Sequence, residues 1–288
     1  MTKLNFTPLI IVGAPRSGTN MLRDVLCKVD GIDTWPCDEI NYIWRHGNVH
    51  SPTDEFSKSM ARPEVKRYIR NKFIRFALKN SSNFVVEKTC ATSLRIPFVE
   101  EIMPEAKYIF IVRDGLDVVG SARLRWKAPL DLTYILKKVR FIPALDIPFY
   151  ALRYVANRIY KFLSREKRLS YWGPQFNGLD EALKEHSLEE VCALQWQACV
   201  ESAEKAFLLM PEDKVIRVRY EDFVKSPQQQ LSIILDFMGK LLPEEKIVEA
   251  VRFVSAKSLG KGRSALGEPS LEKIERLVSG TLGRFGYL

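Results

Sequence analysis

The residues best suited to chemistry stand in one run, Leu9-Ile10-Ile11-Val12-Gly13-Ala14-Pro15-Arg16-Ser17-Gly18-Thr19-Asn20. A short apolar strand empties into a glycine-bracketed loop, and an apolar-striped helix follows from Met21-Leu22. The spacing Gly13-x4-Gly18-Thr19 reproduces the backbone part of a phosphate-binding loop. In such loops successive N–H groups and the following helix N-terminus cradle an anion. Thr19 and Asn20 stand where a lysine usually follows the second glycine, and Arg16 is the nearby cation. The candidate phosphate ligands are therefore Arg16, Ser17, Gly18, Thr19 and Asn20. The loop lacks the Lys-Ser/Thr pair that positions a nucleotide γ-phosphate and its magnesium. It reads as a site for a phosphate-bearing donor that is not split like ATP. Taken alone, the same residues also fit a tight turn.

Further polar groups stand where other strands are expected to end. These are Glu87-Lys88-Thr89, Arg113-Asp114-Gly115 and Arg219-Tyr220-Glu221-Asp222. Arg113 offers a planar fork of donors suited to phosphate, and Ser121 adds a hydroxyl on the helix that follows. An internal Arg113–Asp114 pair is the structural alternative, as is a core tyrosine at Tyr220. Glu39, in Pro36-Cys37-Asp38-Glu39-Ile40-Asn41, comes back towards the loop after the first helix, with Asp38 its immediate competitor for any base role. His46 and His50 are chemically competent bases near neutrality. Their His-Gly-Asn-Val-His context is not a zinc motif, so surface or supporting roles suit them better.

The elements needed to position these groups are legible. Pro8–Val12, Asn83–Glu87, Lys107–Val112 and Lys214–Val218 read as short buried parallel strands. Helical patterns cover Met21–Lys28, Ser93–Met103, Leu116–Trp126, Leu188–Leu209 and Pro227–Met238, the last with a proline start and a Gly239 stop. This alternation predicts an α/β fold, a mostly parallel central sheet flanked by helices, with the ligand site beyond the strands' C-terminal ends.

The 288 residues, 46% hydrophobic, are enough for one large core. No linker, repeat or low-complexity tract divides the chain, so a single domain over 1–288 is expected. The amino-terminal residues lack a signal-peptide pattern, and no run approaches a membrane span. Five cysteines without C-x-x-C spacing read as reduced thiols of a cytoplasmic protein, with Cys192 and Cys199 filling a helix face. The formal charge of +9 points to an anionic ligand or surface. Between Arg62 and Lys79, seven basic residues and one acidic residue suggest an amphipathic helix packing through Phe73, Ile74 and Leu78. Asp131 to Arg168 carries nine basic and three acidic residues interleaved with aromatics. Cations and aromatics can bind nucleic acid, but no nucleic-acid module shows, and helices around a small-molecule cleft explain the pattern.

Taken together, these motifs resemble the sulfotransferase family, in the branch of bacterial and Golgi enzymes, over nearly the whole chain. The fold this implies is the sulfotransferase version of the P-loop nucleoside-triphosphate-hydrolase-like fold. The resemblance implies that Gly13–Thr19 grips the 5′-phosphosulfate of 3′-phosphoadenosine 5′-phosphosulfate (PAPS). It implies that Arg113 and Ser121 meet the 3′-phosphate and that Tyr220 contacts adenine. Lys261, Gly262 and Arg263 would close over the 3′-phosphate end. Glu39 aligns with the glutamate that Golgi relatives use as general base. Lys88 takes the place of a lysine that, with Arg16, balances charge on the sulfuryl oxygens, although Cys90 stands where relatives carry proline. The product would be adenosine 3′,5′-bisphosphate (PAP), with no metal required. A kinase, disfavoured by the missing loop lysine, and a non-catalytic binding protein are the rival readings.

The acceptor is the least legible part. Residues 128–172 form a helical, aromatic insert broken by Pro129, Pro143 and Pro148, with six excess positive charges. Such a surface can line an acceptor groove, rest on the anionic inner face of a membrane, or simply pack on the sheet. The resemblance implies a carbohydrate, glycolipid or other hydroxylated small metabolite. The groove is expected between the Glu39 segment and the insert.

Overall fold

The computed structural model describes residues 4–126, 140–163, 169 and 171–288. Five strands form the sheet: β1 Thr7–Val12, β2 Ile32–Thr34, β3 Phe84–Lys88, β4 Lys107–Val112 and β5 Val215–Arg219, in the order β2-β3-β1-β4-β5. Every neighbouring pair is parallel. The helices are α1 Thr19–Leu26, α2 Asn41–Arg45, α3 Pro63–Asn80, α4 Ile96–Ile102, α5 Gly115–Trp126 and α6 Ile147–Leu163. They continue as α7 Leu179–Glu185, α8 Leu188–Phe207, α9 Tyr220–Lys225, α10 Pro227–Met238, α11 Glu244–Val251, α12 Lys261–Ser264 and α13 Glu268–Arg284.

Alternation along the strands divides the interior in two. Ile10, Val12, Val85, Tyr108 and Phe110 face the core shared with α5 and α8, while Leu9, Ile11, Val86, Ile109 and Ile111 face α1, α10 and α11. Burial of each such side chain contributes roughly 1.5–3 kcal/mol, and a one-residue slip would exchange the two faces. Register therefore holds Ile11 beside Lys88 and Val112 beside Arg219. The residues that follow each strand thus gather at one edge.

The expected strands are present within a residue of their predicted ends. The edge strand β2 was not expected, because three residues carry no measurable periodicity. The helix expected over Ser93–Met103 divides into a 3-10 turn, Cys90–Leu94, and α4. Arg95, the residue in front of α4, leaves helical geometry at φ −142° and divides the two segments, and Pro97 sits in α4's first turn, where a missing N–H costs no helical hydrogen bond. In α3 the buried stripe is Val65, Ile69, Phe73 and Ala77, whereas Leu78 lies exposed. The four-residue spacing keeps that stripe on one face, and Leu78, the residue after Ala77, is turned about 100° away from it. Ser187 and Glu190 close a capping box at the start of α8, which buries Cys192 and Cys199 as core residues. All five cysteines are free.

Part of the expected insert, residues 127–139, 164–168 and 170, lies outside the described residues. Its described portion includes α6, which exposes Leu152, Val155, Ile159 and Phe162. Among the described residues no helix is long and apolar enough to cross a membrane.

Candidate functional site

The loop after β1 is built by close approach. A Cβ on Gly13 would meet the Ile111 carbonyl oxygen at 2.5 Å, and one on Gly18 would strike the Tyr220 ring at 2.3 Å. Gly18 also has φ 88° and enters α1 without a side-chain cap. The first-turn amides of α1 lack intrahelical acceptors, and the helix dipole favours an anion in front of them. Arg16 holds a left-handed φ of 71°, a conformation that disfavours a non-glycine residue by roughly 1–2 kcal/mol. Its Nε donates to Ser121 Oγ at 2.9 Å. Burial, reinforced by the like charges of Arg125 and Arg113, pushes the Arg16 pKa down.

Arg113, 7% exposed, closes the other side of the loop. Its Nη1 donates to the Arg16 carbonyl at 3.2 Å. Its Nη2 donates to Asp117 Oδ2 at 2.9 Å and to the Ser258 carbonyl at 2.8 Å. The guanidinium lies over the Tyr220 ring, 4.4 Å from its centroid, a favourable cation–π geometry. The Tyr220 hydroxyl and Ser258 Oγ are 2.6 Å apart. Tyr220 is thus a buried brace between Gly18 and Arg113. The Arg113–Asp114 pair considered from sequence is not formed. Asp114 instead accepts from the Leu116 amide at 2.9 Å, and Arg263 is its cationic neighbour at 3.8 Å.

Asp117 organises the late loop. Its carboxylate accepts from the amides of Gly260, Gly262 and Arg263 at 2.8, 2.9 and 3.1 Å. Burial opposes its charge, yet Arg113 and these amides hold its carboxyl below the usual range. Gly262 lies so close to α5 that a Cβ there would fall 1.9 Å from the Asp117 carbonyl oxygen, and one on Gly120 would fall 2.1 Å from that of Gly262. The loop therefore places Lys261, exposed, and Arg263, half-buried, beside the Arg113 corner. Sequence reasoning missed Asp117, although its four-residue offset from Arg113 was a usable signal. Ser258 and Trp196, whose Nε1 donates to the Arg113 carbonyl at 3.1 Å, gave none.

A second cluster stands at the ends of β1 and β3. Lys88 Nζ donates to Glu39 Oε1 at 3.0 Å and Asp38 Oδ1 at 3.2 Å. Burial opposes the ammonium charge, but the two carboxylates outweigh it and hold Lys88 above the ordinary lysine range. Glu39 Oε1 also accepts from the Cys90 amide at 3.3 Å. Asp38 is separately bound by Arg23 at 2.8 Å. Thr19 Oγ1 lies 3.9 Å from Cys90 Sγ, so the first turn of α1 meets the Lys88 segment. His46 and His50 belong elsewhere: His46 Nδ1 pairs with Asp146 at 2.8 Å, and His50 sits edge-on to Phe149.

Behind this cluster is Glu87, 1% exposed. It accepts a short hydrogen bond from the Thr89 hydroxyl, whose Oγ1 accepts from the Ile40 amide at 3.3 Å. Burial pushes the Glu87 carboxyl up to about 7. The folded chain consequently retains a proton that the unfolded chain releases from about pH 4.5 upward. Stability falls as pH rises through that window, by on the order of 3 kcal/mol once Glu87 ionises. Glu87→Gln has no proton to lose, so its Tm relative to the unsubstituted protein should rise by several degrees between pH 5 and pH 8. Thermal melts with parallel pH profiles would refute this.

A family model described as "Sulfotransferase family" matches residues 8–135 and 155–244. The chain belongs to the sulfotransferase family. Solved sulfotransferase structures share its fold at low identity. The sulfotransferase domain from the curacin biosynthetic pathway is 16% identical with TM-score 0.54, over 97% of this chain and 98% of that one. Sulfotransferase STF9 from Mycobacterium avium is 11% identical with TM-score 0.56, over 98% and 77%. Mouse sulfotransferase SULT7A1, complexed with PAP, is 13% identical with TM-score 0.52, over 96% and 84%. No curated protein matches the sequence. For this sulfotransferase-family enzyme, the matched region contains the β1 loop, Glu39, Lys88, Arg113, Ser121 and Tyr220. Lys261, Gly262 and Arg263 lie beyond it, in the loop whose Gly260, Gly262 and Arg263 amides donate to Asp117.

Proposed function

We propose that this enzyme moves a sulfuryl group from PAPS to the hydroxyl of a carbohydrate, glycolipid or small metabolite. The observation that carries the reading is the Lys88–Glu39 pair beside an anion cradle whose second cationic corner, Arg113, stands 97 residues further along the chain than Arg16. The cradle fits such a donor. The buried Ser17 Oγ, Asn20 Oδ1 and Arg113 Nε have no hydrogen-bond partner among the described residues. Unpaired buried polar groups are costly, and here two of them are donors that phosphate oxygens would satisfy.

When bound, PAPS supplies the sulfuryl group and leaves as PAP. The α1 amides, Ser17 and Thr19 would hold its 5′ end, and Arg113, Ser121 and the Lys261–Arg263 loop its 3′-phosphate. Glu39 takes the acceptor's hydroxyl proton as oxygen approaches sulfur, and Lys88 orients it. Arg16 and Lys88 balance charge that develops around the transferring group. Asp38, bound by both Arg23 and Lys88, orients the ammonium.

Isothermal calorimetry with PAP in magnesium-free buffer tests the donor assignment. The expected result is micromolar or tighter binding, with ATP at least about tenfold weaker because it lacks the 3′-phosphate contact. Magnesium-dependent ATP hydrolysis would overturn the reading.

A further inference from the structure

A cavity of about 190 Å³ opens between α2 and α6, lined by Asn41, Arg45, Asp54, Tyr150, Arg153 and Gln175 among others. None of its lining residues belongs to the donor cradle. Asn41 in its lining stands two residues beyond Glu39 in the chain, and Arg95 Nη2 fixes Asn41 by donating to its side-chain oxygen at 2.6 Å.

The charges of this cavity do not balance. Asp54 is the carboxylate in its lining, and its oxygens are occupied: Oδ1 accepts from Arg45 Nη1 at 2.8 Å and Oδ2 from the Gln175 amide at 2.9 Å. Arg95, fully buried, stands behind Asp54 at 3.6 Å. Arg153 is a further guanidinium, and among the described residues it has a ring contact with Tyr171 at 5.8 Å but no ion pair. The other acid close by, Asp146, pairs with His46. Burial and the like charge of Arg45 push the Arg153 pKa down. The Tyr150 hydroxyl and Arg45 Nε are buried without a hydrogen-bond partner among the described residues. Burial raises the Tyr150 pKa to about 12, so its hydroxyl keeps its proton as a donor.

The geometry points to this cavity as an acceptor subsite that selects a molecule bearing an anionic group, a carboxylate or a phosphate ester, next to the hydroxyl that is sulfated. Arg153 and the Tyr150 hydroxyl would grip the anion, with Arg45 and Arg95 supplying the surrounding positive potential. The hydroxyl end would then extend past Asn41 towards Glu39. This inference rests on the sulfotransferase reading for the role of the bound molecule. The excess of donors and positive charge is a property of the cavity itself.

The test is direct binding to the full chain saturated with PAP, measured by saturation-transfer NMR titration with glucuronate, glucose 6-phosphate and glucose. At least one anionic sugar should bind about tenfold or more tightly than glucose, the worth of a charge-assisted contact. The anion that is preferred distinguishes carboxylate from phosphate recognition. Arg153→Ala and Tyr150→Phe should each reduce the preference to within about threefold, with Arg153→Lys intermediate and PAP affinity unchanged in all three. Equal binding of the three sugars, no binding by any of them, or a preference that survives Arg153→Ala would overturn the subsite. Failure of PAP to bind in the calorimetric experiment would strike the donor reading instead, and glucuronate titration without PAP would still report on the cavity.

Discussion

Replacing Glu39 by glutamine should lower kcat by about 10²–10⁴-fold, the usual contribution of a positioned general base, while PAP affinity stays within roughly twofold. Glutamine matches glutamate in size, and its carbonyl oxygen can still accept from Lys88 and from the Cys90 amide, as Glu39 Oε1 does. What it cannot do is take a proton. The contrast with Asp38→Asn makes the experiment discriminating. Asp38 is bound by Arg23 at 2.8 Å and Lys88 at 3.2 Å, so its loss should disturb the orientation of Lys88 and lower kcat less than Glu39→Gln does. Single-turnover measurements under saturating donor separate the chemical step from release. A Glu39→Gln enzyme with unchanged kcat, or an Asp38→Asn enzyme impaired more severely, would assign the base elsewhere.

The second large effect is expected at Arg113. Its replacement by alanine should weaken PAP binding by about 10–150-fold, corresponding to one charge-assisted contact of roughly 1.5–3 kcal/mol. Affinity for adenosine 5′-phosphosulfate, which lacks the 3′-phosphate, should fall much less. The two ligands are needed because Arg113 also fastens the protein to itself. It ties the Arg16 carbonyl, Asp117 and the Ser258 carbonyl together, and its loss leaves Asp117 without its cationic partner. An equal loss for both nucleotides would identify Arg113 as a brace for the late loop. Circular dichroism before each titration confirms that the variants share the starting fold.

Legibility in the sequence followed the range of the interactions involved. Strands β1, β3, β4 and β5 are short apolar runs with polar ends, and the burial of both sheet faces leaves that signature in the residues themselves. The Gly13–Gly18 loop was readable for the same local reason, since close approach excludes a Cβ at both positions. Glu39 and Lys88 could be named as chemical groups, but nothing local told that β3 would carry Lys88 to within 3.0 Å of Glu39. Asp117 reads as an ordinary first-turn acid on α5 until the residues around Gly262 fold against it. Tyr220 could be placed at a strand end, yet its packing against Gly18 and Arg113 depends on three separate segments. From the sequence, an acceptor groove was expected between the Glu39 segment and the insert, but the cavity beside α6 was not itself legible. Arg45, Asp54 and Arg153 in its lining come from segments that meet only in the folded chain.

The order of strands also sets a timetable for synthesis. Strand β1 is made first but lies in the middle of the sheet, where Thr7 pairs with Phe84 and Leu9 with Lys107. The Arg113–Ser258 contact that closes the cradle joins residues 145 positions apart. At translation rates of about 5–20 residues per second, the later partner emerges on the order of ten seconds after the earlier one. During that interval the clustered cations Arg16 and Arg113 and the unpaired edge of β4 have no finished structure around them. Parallel pairings of such long range also fold slowly, since chain closure must precede any gain in contact energy. The nascent enzyme is consequently most exposed to aggregation late in translation. A nucleotide that binds only the completed cradle would draw the last folding step forward by mass action, coupling the yield of mature enzyme to the supply of its own donor.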